Sequence, residues 1–141
     1  MAQALLQRRL HCERGGTGEG YRVLSAGLFA GDGHPASPDA IMVMGEIGLD
    51  LTAHSSVQLN PSLVKQADLI LTMTNDQRSY VLQRYPEKAD CTFTLNEFTG
   101  DLSSEVVDPY GLGLNAYRAC SAQLRILVDE LFHIIIESKM R

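Results

Sequence analysis

Two periods of hydrophobic placement run along this chain, one helical and one strand-like. Met1, Leu5, Leu6 and Leu10 recur at helical spacing, with Gln7, Arg8 and Arg9 on the outer side, so a helix is predicted from the first residue. It opens with no N-cap ahead of it, which leaves its first amide donors without a side-chain partner. Gly15-Gly16-Thr17-Gly18 is expected to end it. Tyr21–Ser25 reads as a strand, followed by a small, glycine-rich loop, Ala26–Gly33, with Phe29 as its one aromatic. Pro35, Ser37 and Pro38 announce a helix to about Gly48, with Ile41, Met44 and Ile47 as its apolar face. Asn60-Pro61 starts a short helix. Ala67–Met73 is an apolar run that predicts a strand buried on both faces, the mark of a parallel sheet. Thr74-Asn75-Asp76 caps a helix to about Tyr85, which Pro86 closes, and Thr92–Leu95 is another short strand. The last helix is expected from about Leu114 to Ser138, with Tyr117, Cys120, Leu124, Leu127, Leu131 and Ile134 at three- and four-residue steps.

Strands alternating with helices predict an α/β fold: an open, mostly parallel, three-layer sheet with helices on both faces. In such a sheet the site lies beyond the carboxyl ends of the strands. Ser25-Ala26-Gly27, Met73-Thr74-Asn75 and the loop carrying Asp108 should therefore gather on one edge.

Length and composition narrow the class. With 141 residues the chain is read as one domain, 1–141. A formal charge of -5 with no basic run argues against nucleic acid or an anionic membrane as partner. Ile134-Ile135-Ile136 is too short to span a bilayer, and Met1–Leu10 is not a signal peptide. The three cysteines (Cys12, Cys91, Cys120) form no C-x-x-C pair, so they read as reduced thiols in a cytoplasmic protein. No histidine pair has metal-ligand spacing, and no cofactor is implied.

The chemistry centres on Asp108-Pro109-Tyr110-Gly111. Proline holds the preceding residue extended or in a turn, so the carboxylate stands on a rigid loop beside an aromatic. That suits a general acid at the rim of a pocket. The plainer alternative is a turn whose Asp only begins the last helix. Phe29 is either a wall of a substrate slot or a ring packed under its own loop.

The order of these pieces resembles the low-molecular-weight protein phosphatase family, in its bacterial branch of tyrosine and arginine phosphatases. The matching residues are Met1–Leu6, Ser25-Ala26-Gly27, Pro35-Ala36, Ala67–Met73, Phe93-Thr94-Leu95 and Asp108–Gly111. The resemblance implies a thiolate that attacks phosphorus from a loop of pattern Cys-(x)5-Arg-(Ser/Thr)-Pro. It implies that Asp108 protonates the leaving group and that Tyr110 lines the slot. It also implies a phosphorylated protein or small phospho-substrate as partner, and a monomer or weak dimer. The family's loop precedes the helix that Met1–Leu6 match, so the first strand, the nucleophile and the phosphate-binding arginine are expected to be missing here. The residue six positions after Cys12 is Gly18, after Cys91 it is Glu97, and after Cys120 it is Ile126; none is arginine. His11-Cys12-Glu13-Arg14-Gly15-Gly16-Thr17-Gly18 looks like a phosphatase signature, but its arginine is wrongly spaced and it follows a helix. A reading frame started at an internal methionine is one expectation. A non-catalytic phospho-ligand binding module and an arsenate reductase of the same fold are the alternatives.

Overall fold

A computed structural model describes residues 1–12 and 20–140. The glycine-rich turn predicted at 15–18 and most of the His11–Gly18 signature lie outside the described residues. The elements are α1 (Ala2–Cys12), α2 (Pro38–Glu46), α3 (Pro61–Gln66), β1 (Ile70–Thr72), α4 (Asn75–Arg84), a 3-10 helix (Pro86–Cys91), β2 (Thr92–Thr94), α5 (Leu95–Phe98) and α6 (Leu114–Met140).

Local chemistry explains most of the boundaries. The Ser37 hydroxyl accepts from the Ala40 amide and Pro38 opens α2, while Asn60 and Pro61 do the same for α3. Thr74 begins α4 with a capping box: its hydroxyl accepts from the Gln77 amide, and the Gln77 side chain accepts from the Thr74 and Met73 amides. Thr94 and Glu97 build a second capping box on α5. The helix predicted to reach Gly48 stops at Glu46, because Ile47 leaves the helical region and Gly48 takes φ +81°.

The sheet is smaller than its hydrophobic pattern predicts. β1 and β2 pair in parallel, Ile70 with Thr92, Leu71 with Phe93 and Thr72 with Thr94. They form a two-stranded sheet. Tyr21–Ser25, predicted as a strand, joins no ladder among the described residues; its nearest pairing is an isolated parallel bridge, Gly27 to Gln58. A strand is defined by its partner, and here the Val23 carbonyl accepts from the side-chain amides of Gln3 and Gln7 on α1 instead. The apolar run Ala67–Met73 likewise contributes three strand residues, and of these only Thr72 is fully buried. Burial on both faces needs cover on both faces and strands along both edges, and among the described residues β1 has a strand on one edge.

The two faces of β1 meet different layers. Leu69, Leu71 and Met73 pack against a cluster formed by Leu5, Ala40, Val43, Met44, Leu51, Leu95, Val106 and the stripe Tyr117, Cys120, Leu124, Leu127, Val128 and Leu131. Alternation turns Ile70 and Thr72 to the opposite face, and α4 contacts both strands. The core therefore lies between the sheet and the α1/α2/α6 layer. This is the α/β architecture expected, carried on a shorter sheet.

Two predictions follow from the packing. Met44 is fully enclosed at 0% exposure, so Met44→Ala should lower the unfolding free energy in urea by about 2–5 kcal/mol. Arg118 on α6 grips the Glu46 carboxylate with contacts down to 2.7 Å. That hydrogen bond, first among the causes, holds Glu46 below the ordinary carboxylate range. Its contribution is present above the unfolded-state pKa and fades as pH falls through the lowered folded value. The stability gap between the wild type and Glu46→Gln should therefore close on acidification; a gap constant from neutral pH down to pH 3 would refute the pairing.

Candidate active site

The loop carrying Asp108 is built from its ends inward. Val106 is buried in the core, and its amide donates to the Met73 carbonyl at the exit of β1 (3.0 Å). Glu105 accepts from the Asn75 amide at the start of α4 (2.6 Å), and its own carbonyl accepts from Gln123 Nε2 on α6 (3.0 Å). A carboxylate at a helix N-terminus is favoured by the unpaired amides there. The loop is thus fastened to a strand end and to two helices just before Asp108.

Asp108 itself is exposed, while the next residue, Pro109, is buried. The Tyr110 amide donates to Asp108 Oδ1 at 3.0 Å, closing a turn that fixes the carboxylate. Gly111 follows at φ +77°, a conformation that suits glycine and reverses the chain toward α6. Tyr110 projects outward at 75% exposure. The acid and the aromatic therefore share one turn before α6, with both side chains exposed.

Cys120 shows where this loop sits relative to α1. Burial pushes its thiol pKa up; the Met1 ammonium acts against that, and Asp108 adds to it. Burial likewise lowers the Met1 α-amino group, with the Cys120 thiol opposing. The Met1 ammonium and the Asp108 carboxylate therefore act on the Cys120 thiol in opposite directions. Cys120 is the core thiol expected, and Cys91 is half-buried, its sulfur directed at the Lys88 carbonyl.

Phe29 stands on the other predicted loop. Gln58 ties that loop down: its side chain donates to the Leu28 carbonyl and accepts from the Gly31 amide, and its own amide donates to Asp32. A β-carbon on Gly27 would come within 2.4 Å of the Ala30 methyl, so the tight turn there requires glycine. Phe29 is 83% exposed and is not packed under its loop. Its ring meets Tyr80 of α4 edge-on, with centroids 5.2 Å apart.

Sequence reasoning missed Glu105, Gln123, Gln58 and Tyr80. Each acts across a long sequence separation, and a lone Glu or Gln carries no spacing signal for that. The structure brings Asp108 and Tyr110 together on one turn and fixes Phe29 separately, on Tyr80. Among the described residues no group of histidine, cysteine and carboxylate side chains is placed to hold a metal ion. No helix there is long and apolar enough to cross a membrane.

A clamped acid loop beyond a parallel strand end is placed where α/β folds carry their sites. The chain belongs to the low molecular weight phosphotyrosine protein phosphatase family, whose model matches residues 1–140. It is 38% identical over 112 residues to a protein-arginine-phosphatase of Geobacillus stearothermophilus, covering 79% of this chain and 75% of the relative. It is 37% identical over 129 residues to the probable low molecular weight protein-tyrosine-phosphatase EpsP of Ralstonia nicotianae, covering 92% and 81%. The solved YwlE arginine phosphatase from Geobacillus stearothermophilus superposes with a TM-score of 0.89 at 33% identity, over 99% of this chain and 85% of that one. An arsenate reductase of Staphylococcus aureus is 37% identical over 59 residues, 42% of this chain and 43% of the relative.

The thiols give a direct check on the site's packing. Cys12 is exposed and Cys120 buried, so an aromatic disulfide reagent should modify Cys12 rapidly and Cys120 only on unfolding. Equal rates for Cys12→Ser and Cys120→Ser variants would contradict the burial of Cys120 in the core.

Proposed function

We propose that this chain supplies the scaffold and the general acid for hydrolysis of phosphorylated proteins through a phosphocysteine intermediate. The observation that carries this is the exposed Asp108 carboxylate on a loop clamped at the end of β1 by Val106, Glu105 and Gln123. In the family's pattern a cysteine thiolate ahead of that helix attacks phosphorus. The bond to the leaving oxygen or nitrogen breaks, and Asp108 gives that atom its proton. The resulting Asp108 carboxylate then takes a proton from the water that cleaves the phosphocysteine. Inorganic phosphate leaves, and thiolate and acid are restored. Tyr110 and Phe29 line the substrate slot. Relatives named for arginine and for tyrosine phosphatase activity support phosphoarginine and phosphotyrosine as the two substrate classes.

None of the three cysteines opens a Cys-(x)5-Arg sequence, so the 141 residues alone should not turn over para-nitrophenyl phosphate. A rate abolished by Asp108→Asn would show this wrong. Joining a strand and a Cys-(x)5-Arg-Ser-Pro loop of the family's pattern ahead of Met1 should produce turnover. In that fusion Asp108→Asn should lower kcat on a phosphotyrosine peptide by about 10²–10⁴-fold. The loss should be smaller on para-nitrophenyl phosphate, whose leaving group needs less protonation. Equal losses on both substrates would sink the acid role. The arsenate reductase alternative rests on the 59-residue similarity. It needs resolving thiols, and the buried Cys120 and half-buried Cys91 offer no exposed pair.

A further inference from the structure

Helix α4 joins the acid loop to a second surface. Its first amide, at Asn75, is bound by Glu105 of the acid loop. Five residues on, Tyr80 receives the exposed Phe29 ring at an interplanar angle of 69°. One further turn on, the Arg84 guanidinium lies over the other partner of that contact, 4.4 Å from the Tyr80 ring centroid. Asp76, Tyr80 and Arg84 are four residues apart and share one face of the helix.

Arg84 is exposed, and no carboxylate among the described residues pairs with it. Its contact with Tyr80 orders the guanidinium without neutralising it. Three other arginines are held by carboxylates: Arg9 by Asp129, Arg78 by Glu97, and Arg118 by Glu46. On a chain of formal charge -5, an ordered and uncompensated cation beside an exposed aromatic is a local feature suited to an acidic partner.

We propose that Phe29, Tyr80 and Arg84 form a docking surface that selects an acidic side chain, aspartate or glutamate, in the polypeptide substrate. The proposal rests on the phosphatase reading for the position of the phosphorylated residue beside Asp108. From Asn75 to Arg84 the helix advances about 14 Å at 1.5 Å per residue. An extended peptide covers that distance in about four residues. The selected acid therefore lies about four positions from the phosphorylated residue, with the intervening chain against Phe29. Asp76, nearer the acid loop on the same face, disfavours a carboxylate immediately next to that residue.

The test is a nuclear magnetic resonance titration of the 141-residue chain, which reads binding without turnover. Two phosphotyrosine peptides serve as probes, identical except for glutamate or lysine at the fourth position on both sides. The glutamate peptide should shift the Phe29, Tyr80 and Arg84 signals. It should bind about two- to fivefold more tightly than the lysine peptide, the size of a solvent-exposed ion pair. Raising the salt to about 1 M should erase the difference. Arg84→Glu should reverse the order and Arg84→Gln should abolish it, while Asp108→Asn should leave it intact. Equal affinities for the two peptides, a preference that survives Arg84→Glu, or no shift at these three residues would overturn the docking surface. Failure of the phosphatase reading shows separately, in the leaving-group comparison on the fusion.

Discussion

The buried stripe of α6 is the surface to which the rest of the molecule is fitted. Tyr117, Cys120, Leu124, Leu127, Val128 and Leu131 meet Leu5 of α1, Val43 and Met44 of α2, Leu95 of α5 and Val106 of the acid loop. Burial of this much apolar surface is the main favourable term in holding such a domain together. It also fixes where the chemistry stands. Val106 is part of that core, and Asp108 is two residues further along the same chain. The carboxylate inherits its position from packing, and the hydrogen bonds from Glu105 and Gln123 refine it.

Cys120 links core and site. It fills an α6 position toward the core, yet the start of α1 and Asp108 both act on it. A thiol here is inert because burial disfavours the thiolate. The loop is fastened at its base and exposed at its tip. Helix α4 extends the arrangement, with the acid loop on its first turn and the Phe29 loop on its second.

The fold was largely legible because its elements carry local signals. Ser37-Pro38, Asn60-Pro61 and Thr74 marked three helix starts, and the three- and four-residue steps of α6 marked its core face. Asp108-Pro109-Tyr110-Gly111 was readable for a similar reason, since a proline and a glycine dictate the turn around the acid. Tyr21–Ser25 misled because its alternation is that of a strand, while its pairing depends on what lies beside it in space. The run Ala67–Met73 misled likewise: its hydrophobicity predicts burial on both faces, but cover is supplied by other parts of the fold.

The sequence by itself determined the starts of α2, α3 and α4, the acid on its turn and the absence of Cys-(x)5-Arg from these 141 residues. These are matters of nearest neighbours along the chain, where steric restriction and side-chain capping act over a few residues. Only the tertiary structure decided that Glu105 and Gln123 clamp the acid loop, that Cys120 is buried in the core, and that Tyr80 meets Phe29 edge-on and carries Arg84 over its ring. Those contacts join residues far apart along the chain. They arise because burying the α6 stripe brings their elements together, and no local pattern encodes that.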